Sequence, residues 1–340
     1  MAEFEQLMRT AALVGTALFA VLLLARAAWA WRSRGERAGL RHMPLTVRLV
    51  QGLRVVALVL FGLGLLASLF VLQRGTFFMP APLQAGFAIA FAAYVLLEVV
   101  LAAWLPRRRR AWLWGLGALA TFALGALGLL FVLGAARAFA YPPLADTVVL
   151  ARVPFEGTWV ATGAGASGAT NHHDRIASQK YAADLAALCD DGRLFRGDGG
   201  RQEDSCTFGA KVLSPVDGVV VHAIDGHPDG ASREVLPGNH VIIRIDEGRH
   251  VALAHFRRGS VLVKEGERVR AGQEIARAGN SGNSDFAHLH LHVQDMPVYD
   301  LRGSRALPWR VAGMERRRYL WWSLVRDGFL LSNDHVRPAP

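Results

Sequence analysis

Four long apolar runs in the first 140 residues constrain the fold of this 340-residue chain more than any other feature of its sequence. Each run reaches the roughly 20 residues that a helix needs to cross a hydrocarbon core of about 30 Å. The runs cover residues 9–31, 51–72, 82–105 and 112–136. We therefore expect an N-terminal all-α transmembrane bundle of four helices over residues 1–140, with the lipid bilayer as its partner.

Charge is divided unevenly between this segment and the rest of the chain. Residues 1–140 carry 14 Lys and Arg against 4 Asp and Glu, whereas residues 141–340 carry 24 of each class. The arginines are concentrated between the first two runs and in RRRR, residues 107–110. By the positive-inside rule both loops are cytoplasmic, so the N-terminus and everything after the fourth helix lie outside. Because the excess positive charge belongs to the membrane half, we expect no nucleic-acid partner.

The predicted location follows from this topology. We expect a multi-pass membrane protein whose N-terminus and C-terminal domain both lie outside the cytoplasm. In a rival interpretation the first run is a signal peptide cleaved after AWA, residues 28–30. Glu3 and Glu5 count against it, because they stand where a signal peptide carries positive charge.

Short strands separated by turns dominate the sequence from Tyr141 onward. KVLSPVDGVVVHAID, residues 211–225, contains two strands around a Pro-Val-Asp-Gly turn. NHVIIRID and HVALAHF predict a hairpin across Glu247 and Gly248. Only YAADLAAL, near Tyr181, has a helical pattern. We predict a mainly antiparallel β domain over residues 141–315, and a C-terminal tail over residues 316–340 that packs on the domain or the membrane surface.

AHLHLHVQD, near the end of this predicted domain, places three histidines two residues apart. A strand with a period of two directs His288, His290 and His292 to one side of the sheet. Two histidines and a carboxylate around an open position make a hydrolytic zinc site. Further residues of the right types are His255, His172, His173, Asp174 and Asp184.

The order of these segments resembles the zinc endopeptidases of the lysostaphin and LytM type, which cleave peptide cross-links in bacterial cell walls. The resemblance covers roughly residues 155–295 and rests on GAKVLSPVDGVVV, GNHVIIRI and LAHFRRGSVLVKEGERVRAGQEIARAGNSGNSDFAHLHLHVQD. It implies one zinc ion (Zn2+) per chain, with His290 as a ligand and with His255 and His288 as catalytic histidines. His292 shares the face of His290, and we interpret it as a supporting or packing residue.

The upstream ligands depart from the usual pattern of that family, because no histidine in this sequence stands four residues before an aspartate. A longer-spaced form, N-x-H followed by Q-x-x-A-x-D, matches residues 171–184. This match implies that His173 and Asp184 complete the metal site. His172 in place of His173, and Asp174 in place of Asp184, remain open alternatives.

The resemblance implies a membrane-anchored zinc-dependent endopeptidase that hydrolyses peptide amide bonds in the stems or cross-links of peptidoglycan. It also implies that the membrane is the bacterial inner (cytoplasmic) membrane, with the N-terminus and the C-terminal domain on its periplasmic or extracellular side. An exported active site agrees with this, because the polymer lies outside the membrane. One alternative is a non-catalytic LytM-like module that binds cell wall or activates another hydrolase, and another is an anchored protease that cuts proteins. Cys189 and Cys206 flank a polar, glycine-rich loop in the exported half, which predicts a local disulfide.

Overall fold

The computed structural model of the chain describes residues 139–340, apart from 169, 231, 233–235 and 319–320, together with scattered positions between 119 and 137. The chain divides into two compact units, Met1–Ala135 and Ala136–Pro340. Every strand among the described residues belongs to the second unit.

Fourteen strands lie among the described residues, and twelve of them join one sheet. The strands are β1 (Val148–Leu150), β2 (Trp159–Gly163), β3 (Ala183–Ala187), β4 (Lys211–Leu213), β5 (Gly218–Ile224), β6 (Asn239–Asp246), β7 (Arg249–Phe256), β8 (Arg268–Val269), β9 (Glu274–Arg277), β10 (Leu289–Gln294), β11 (Ala306–Leu307), β12 (Trp309–Arg317), β13 (Ser323–Gly328) and β14 (His335–Pro338). The order through the main sheet is β1-β12-β14-β2-β3-β10-β7-β6-β5-β8, with β11 beside β10 and β13 beside β12. Strands β4 and β9 pair separately. The described 3₁₀ helices are Leu144–Asp146, His172–Arg175, Ala177–Gln179 and Gln202–Asp204.

Alternation of side chains along the central strands separates an apolar face from a polar one. On β10, Leu289, Leu291 and Val293 enter the hydrophobic core. Ile243 of β6 and Leu253 of β7 join the same core. Burying a side chain of this size contributes about 1.5–3 kcal/mol. Because successive residues of a strand point to opposite faces, the same alternation sends the histidines of β10 to the other side of the sheet.

The predicted hairpin across Glu247 and Gly248 is confirmed. Strands β6 and β7 pair antiparallel on either side of this turn. Gly248 has a φ of 76°, which glycine adopts without steric cost. Strands β4 and β5 likewise flank the predicted Pro-Val-Asp-Gly turn. The prediction of a mainly antiparallel β domain agrees with this part of the structure.

The helical interpretation of YAADLAAL is wrong. Residues 183–187 of this segment form β3, which lies between β2 and β10 and is buried at every position. Alanine and leucine favour helices, but that preference is weak and tertiary contacts override it. In the strand, Leu185 enters the core while Asp184 points to the opposite face.

The predicted transmembrane bundle needs correction. Within the part of the chain that the structure describes, no helix is both long enough and apolar enough to cross a membrane. Three of the predicted spans, 9–31, 51–72 and 82–105, lie outside the described residues, and the span 112–136 is described only at scattered positions. Hydropathy establishes only that a segment is apolar and of sufficient length, whereas a membrane helix must also satisfy its backbone hydrogen bonds within the segment. The four-helix fold class, and the bilayer contact inferred from it, are therefore not supported.

Strands β12, β13 and β14 place the C-terminal part of the chain within the main sheet. Strand β14 pairs with β12 on one side and with β2 on the other. Just before it, the buried Ser332 accepts a hydrogen bond from the Ala164 amide at 3.1 Å and donates to the carbonyl of Thr170. These contacts connect the C-terminal segment to the loop that leads into His172.

Cys189 and Cys206 form a disulfide, as predicted. The bond joins the segment after β3 to the segment after the 3₁₀ helix at Gln202–Asp204, with a sequence separation of 17. It therefore closes the polar, glycine-rich loop that lies between the two cysteines.

Replacing both cysteines with serine is expected to lower the free energy of unfolding by about 3 kcal/mol, because the cross-link restricts the unfolded chain. Urea denaturation of the wild-type and Cys189→Ser/Cys206→Ser proteins measures the difference. A reducing agent should destabilise the wild type to the same extent and leave the variant unchanged. Equal stability of the oxidised wild type and the variant would contradict the prediction.

Candidate metal centre

Asp184 is the centre of a polar cluster on the face of the sheet opposite the core. It lies within β3 and is only 6% exposed. Its Oδ2 lies 3.0 Å from His173 Nε2, and its Oδ1 lies 2.9 Å from His290 Nδ1. The Nε2 atoms of His172 and His288 are each 3.5 Å from a carboxylate oxygen. Four imidazoles therefore surround one carboxylate.

The upstream histidines are held by a buried asparagine. Asn171 precedes the 3₁₀ helix His172–Arg175, and its Oδ1 accepts a hydrogen bond from the His173 amide at 3.1 Å. Its Nδ2 donates to the carbonyls of Gly165 at 2.7 Å and Ala182 at 3.0 Å. One side chain thus connects the loop after β2, the 3₁₀ helix and the entry to β3.

The structure brings both His172 and His173 to Asp184. Adjacent side chains of an extended chain point in opposite directions, which is why the sequence treats these two residues as alternatives. In a 3₁₀ helix successive side chains are only about 120° apart, so both rings reach the same carboxylate. Asp174 is turned away from the cluster, and its Oδ2 accepts a hydrogen bond from the Gly168 amide at 3.0 Å.

His290 reaches Asp184 through the register of the sheet. Strands β3 and β10 pair antiparallel with His290 directly opposite Asp184. On its other side, His290 pairs with Ala254 of β7. Residues 106 positions apart therefore meet because of strand pairing.

His255 stands beside this cluster, and its ring centroid lies 4.8 Å from that of His288. His255 Nδ1 lies 2.8 Å from the carbonyl of Ser281, and His288 Nδ1 lies 2.9 Å from the carbonyl of Phe286. Because a carbonyl oxygen only accepts, each ring carries a hydrogen on Nδ1, and its Nε2 is the atom left for chemistry. His255 also has a φ of 66°, an uncommon conformation for a residue other than glycine that recurs at functional positions.

Burial and charge shift the pKa values of these groups in different directions. Burial by itself would raise the pKa of Asp184, but the charges and hydrogen bonds of His173 and His288 hold it well below its usual range. Burial lowers the pKa of His290 to about 3 and lowers that of His255 well below its usual value. Burial also lowers the pKa of His288, but the carboxylate of Asp184 outweighs this effect and leaves the pKa raised.

The donor set fits a metal ion. Donor atoms of His172, His173 and Asp184 all lie within 4.8 Å of one another, and His290 Nδ1 adds a fourth donor 2.9 Å from the carboxylate. Zinc binds neutral imidazole nitrogens and carboxylate oxygens, and its ligands must be deprotonated. A pKa of about 3 for His290 and an ionised Asp184 meet that requirement.

The loop between β9 and β10 contains functional groups that the sequence did not reveal. GNSGNS, residues 279–284, has the composition of a simple turn, yet the carbonyls of Ser281 and Phe286 orient both candidate catalytic histidines. Ser284 Oγ lies 3.1 Å from His288 Nδ1 as well. Every residue has a backbone carbonyl, so the residue types in this loop do not indicate that its carbonyls orient the histidines. The one available signal in the sequence was the position of the loop directly before His288 and His290.

Residues 204–300 match the model of Peptidase family M23. This part of the chain is therefore similar to domains of that peptidase family. His255, His288 and His290 lie within the matched residues, whereas His173 and Asp184 precede them.

Two curated proteins show the same relationship over a limited length. The chain is 32% identical over 121 residues to an uncharacterized metalloprotease of Haemophilus influenzae. The matched region covers 34% of this chain and 23% of that protein. The chain is 30% identical over 115 residues to the peptidoglycan DD-endopeptidase ShyA of Vibrio cholerae, covering 33% of this chain and 24% of that protein. Among solved structures, a zinc containing peptidase from Vibrio cholerae is 23% identical over 33% of this chain and 46% of that one, with a TM-score of 0.22.

Proposed function

We propose that this domain hydrolyses peptide amide bonds in peptidoglycan and that it uses one bound zinc ion. The observation that carries the proposal is the contact of a buried Asp184 with both His173 and His290, beside two histidines whose hydrogens are directed by backbone carbonyls. The similarity of part of the chain to a peptidoglycan DD-endopeptidase supports the substrate class.

His173 Nε2, a carboxylate oxygen of Asp184 and His290 Nδ1 would hold the zinc ion. His172, whose side chain is 41% exposed, faces the same carboxylate from the solvent side. When bound, zinc supplies a Lewis acid that polarises the carbonyl of the scissile amide. The protein contributes the fixed positions of the ligands, which come from a strand register and from the Asn171 hydrogen bonds.

His255 and His288 are proposed as the catalytic pair. Each ring donates through Nδ1 to a backbone carbonyl, which confines proton exchange to Nε2. An imidazole nitrogen positioned in this way can orient a water molecule and move a proton between that water and the leaving amine. Closely packed neighbouring side chains limit rotation of both rings, since each residue is less than a tenth exposed.

The proposed place of action is outside the cytoplasm. Cys189 and Cys206 form a disulfide, and such bonds persist mainly in oxidising compartments. Peptidoglycan also lies outside the cytoplasm, so the disulfide and the proposed substrate point to the same compartment.

Digestion of purified peptidoglycan sacculi by the purified, zinc-supplied chain tests the proposed function. We expect soluble fragments whose masses identify a cleaved peptide amide bond. The His290→Ala variant should release none, whereas His227→Ala, which changes a histidine outside the cluster, should act like the wild type. Absence of cleavage by a folded, zinc-loaded chain would contradict the endopeptidase and favour a binding module. Equal cleavage of unfolded protein substrates would contradict the substrate class.

A further inference from the structure

A row of hydrogen-bonded side chains leads from the metal centre along β10. His290 Nε2 lies 3.0 Å from His292 Nδ1, and His292 Nε2 lies 2.8 Å from Gln294 Oε1. Gln294 Nε2 donates to the carbonyls of Met296 at 2.7 Å and Val298 at 2.8 Å. His290, His292 and Gln294 are each 2% exposed or less, so water does not compete for these contacts.

The direction of each hydrogen bond can be assigned by starting from Gln294, at the end of the row away from the metal centre. The carbonyls of Met296 and Val298 only accept, so both hydrogens of the Gln294 amide nitrogen are used there. A flipped amide would set its oxygen against these two carbonyl oxygens. Gln294 therefore presents its own oxygen to His292, and because that oxygen only accepts, His292 Nε2 carries a hydrogen.

The same reasoning extends to the metal centre. A neutral His292 with its hydrogen on Nε2 has a lone pair on Nδ1, and that lone pair faces His290 Nε2. His290 then carries its hydrogen on Nε2 and keeps the lone pair of Nδ1. This Nδ1 lies 2.9 Å from Asp184 Oδ1. Because an ionised carboxylate only accepts, a lone pair on Nδ1 is compatible with Asp184 only when a cation lies between them, so the assigned tautomer is that of the zinc-loaded site.

We infer that His292 and Gln294 are positioning residues that select the ring tautomer of His290 in which Nδ1 can bind the metal. Hydrogen-bond partners of a metal-bound histidine orient the ring and hold its tautomer. In this chain the partner is itself a histidine, and its orientation comes from a glutamine anchored on two backbone carbonyls. The inference rests on the proposed function, because it requires zinc at Asp184 and His290.

A matched pair of substitutions at position 292 tests the inference. In His292→Gln the amide oxygen can accept from His290 Nε2, whereas the similarly sized side chain of His292→Leu cannot. We expect His292→Leu to weaken zinc binding by about 10–100-fold, the usual effect of losing such a partner. His292→Gln should stay within a few-fold of the wild type. Zinc affinity is measured on the full chain by competition with a chromophoric chelator, and thermal unfolding confirms that each variant folds.

The outcomes separate this inference from the proposed function. If the wild type binds no zinc, the proposed metal centre fails and the inference fails with it. If the wild type binds zinc and a folded His292→Leu binds equally well, only the inference is overturned. An equal loss in both folded variants also overturns it, because the loss would then not depend on a hydrogen-bond acceptor.

The tautomers can also be read directly from the wild type, which keeps the test independent of whether a variant folds. Nitrogen-15 chemical shifts of the zinc-loaded chain distinguish protonated from unprotonated ring nitrogens. We expect hydrogen on Nε2 of both His290 and His292. A hydrogen on His292 Nδ1 would overturn the inferred direction of the row.

Discussion

Replacing Asp184 with asparagine is expected to abolish measurable zinc binding and, with it, peptidoglycan hydrolysis. Asparagine preserves the shape of the side chain but removes the negative charge and one of the two acceptor oxygens that face His173 and His290. Losing an outer partner of a metal ligand costs about 10–100-fold in metal affinity, and the loss of a ligand itself should exceed that. Chelator competition measures the affinity, and sacculus digestion measures the activity.

Asp174→Asn provides the matched control for this prediction. Asp174 belongs to the same segment and is the carboxylate that the sequence alone leaves as an alternative ligand. Its Oδ2 accepts from the Gly168 amide rather than facing the histidines, so the variant should bind zinc like the wild type. If Asp174→Asn loses zinc binding and Asp184→Asn retains it, the assignment of Asp184 as the metal ligand is contradicted.

Replacing Asp334 with asparagine is expected to lower the free energy of unfolding by about 3–5 kcal/mol, the cost of breaking one partner of a buried ion pair. The side chain of Asp334 is fully buried, and that of Arg318 is 11% exposed. Both oxygens of Asp334 accept from the Arg318 guanidinium, and Oδ2 also accepts from the Leu331 amide at 2.8 Å. The substitution leaves the arginine charge buried without its counter-charge. Equilibrium urea denaturation measures the change.

Asp295→Asn is the comparison for Asp334→Asn. Asp295 pairs with Arg305, whose side chain is 81% exposed, so water replaces the lost contact. Exposed ion pairs contribute only about 0–1 kcal/mol. Similar losses of stability in the two variants would contradict the prediction that burial makes the Asp334–Arg318 ion pair the more important of the two.

Residue type and spacing were enough to predict much of the β domain. The hairpin of β6 and β7 follows from two apolar runs separated by a turn, and it forms as expected. The alternating histidines predict one polar face, and β10 has its leucines in the core. These predictions succeed because strand period and turn chemistry are local properties that depend on few neighbours.

Predictions that depend on longer-range context are the ones that needed correction. YAADLAAL forms a strand because β2 and β10 pair with it on both sides. Helix or strand preferences of its own residues do not include these contacts. The apolar runs before Tyr141 satisfy the length and hydropathy of membrane spans, but the described chain contains no helix that meets both requirements. Composition and hydropathy describe a segment by itself, whereas its structure also depends on the contacts that the rest of the chain makes with it.

The sequence by itself determined which residue types were available for a hydrolytic metal site and which histidines would share a strand face. Only the tertiary structure decided that Asp184, rather than Asp174, meets His290, because that contact depends on the register of β3 against β10. It also decided that His172 and His173 both face the carboxylate, because a 3₁₀ helix replaces the extended chain there. Hydrogen-bond direction along His292 and Gln294 depends on backbone carbonyls, and their positions follow from the fold rather than from side-chain identity.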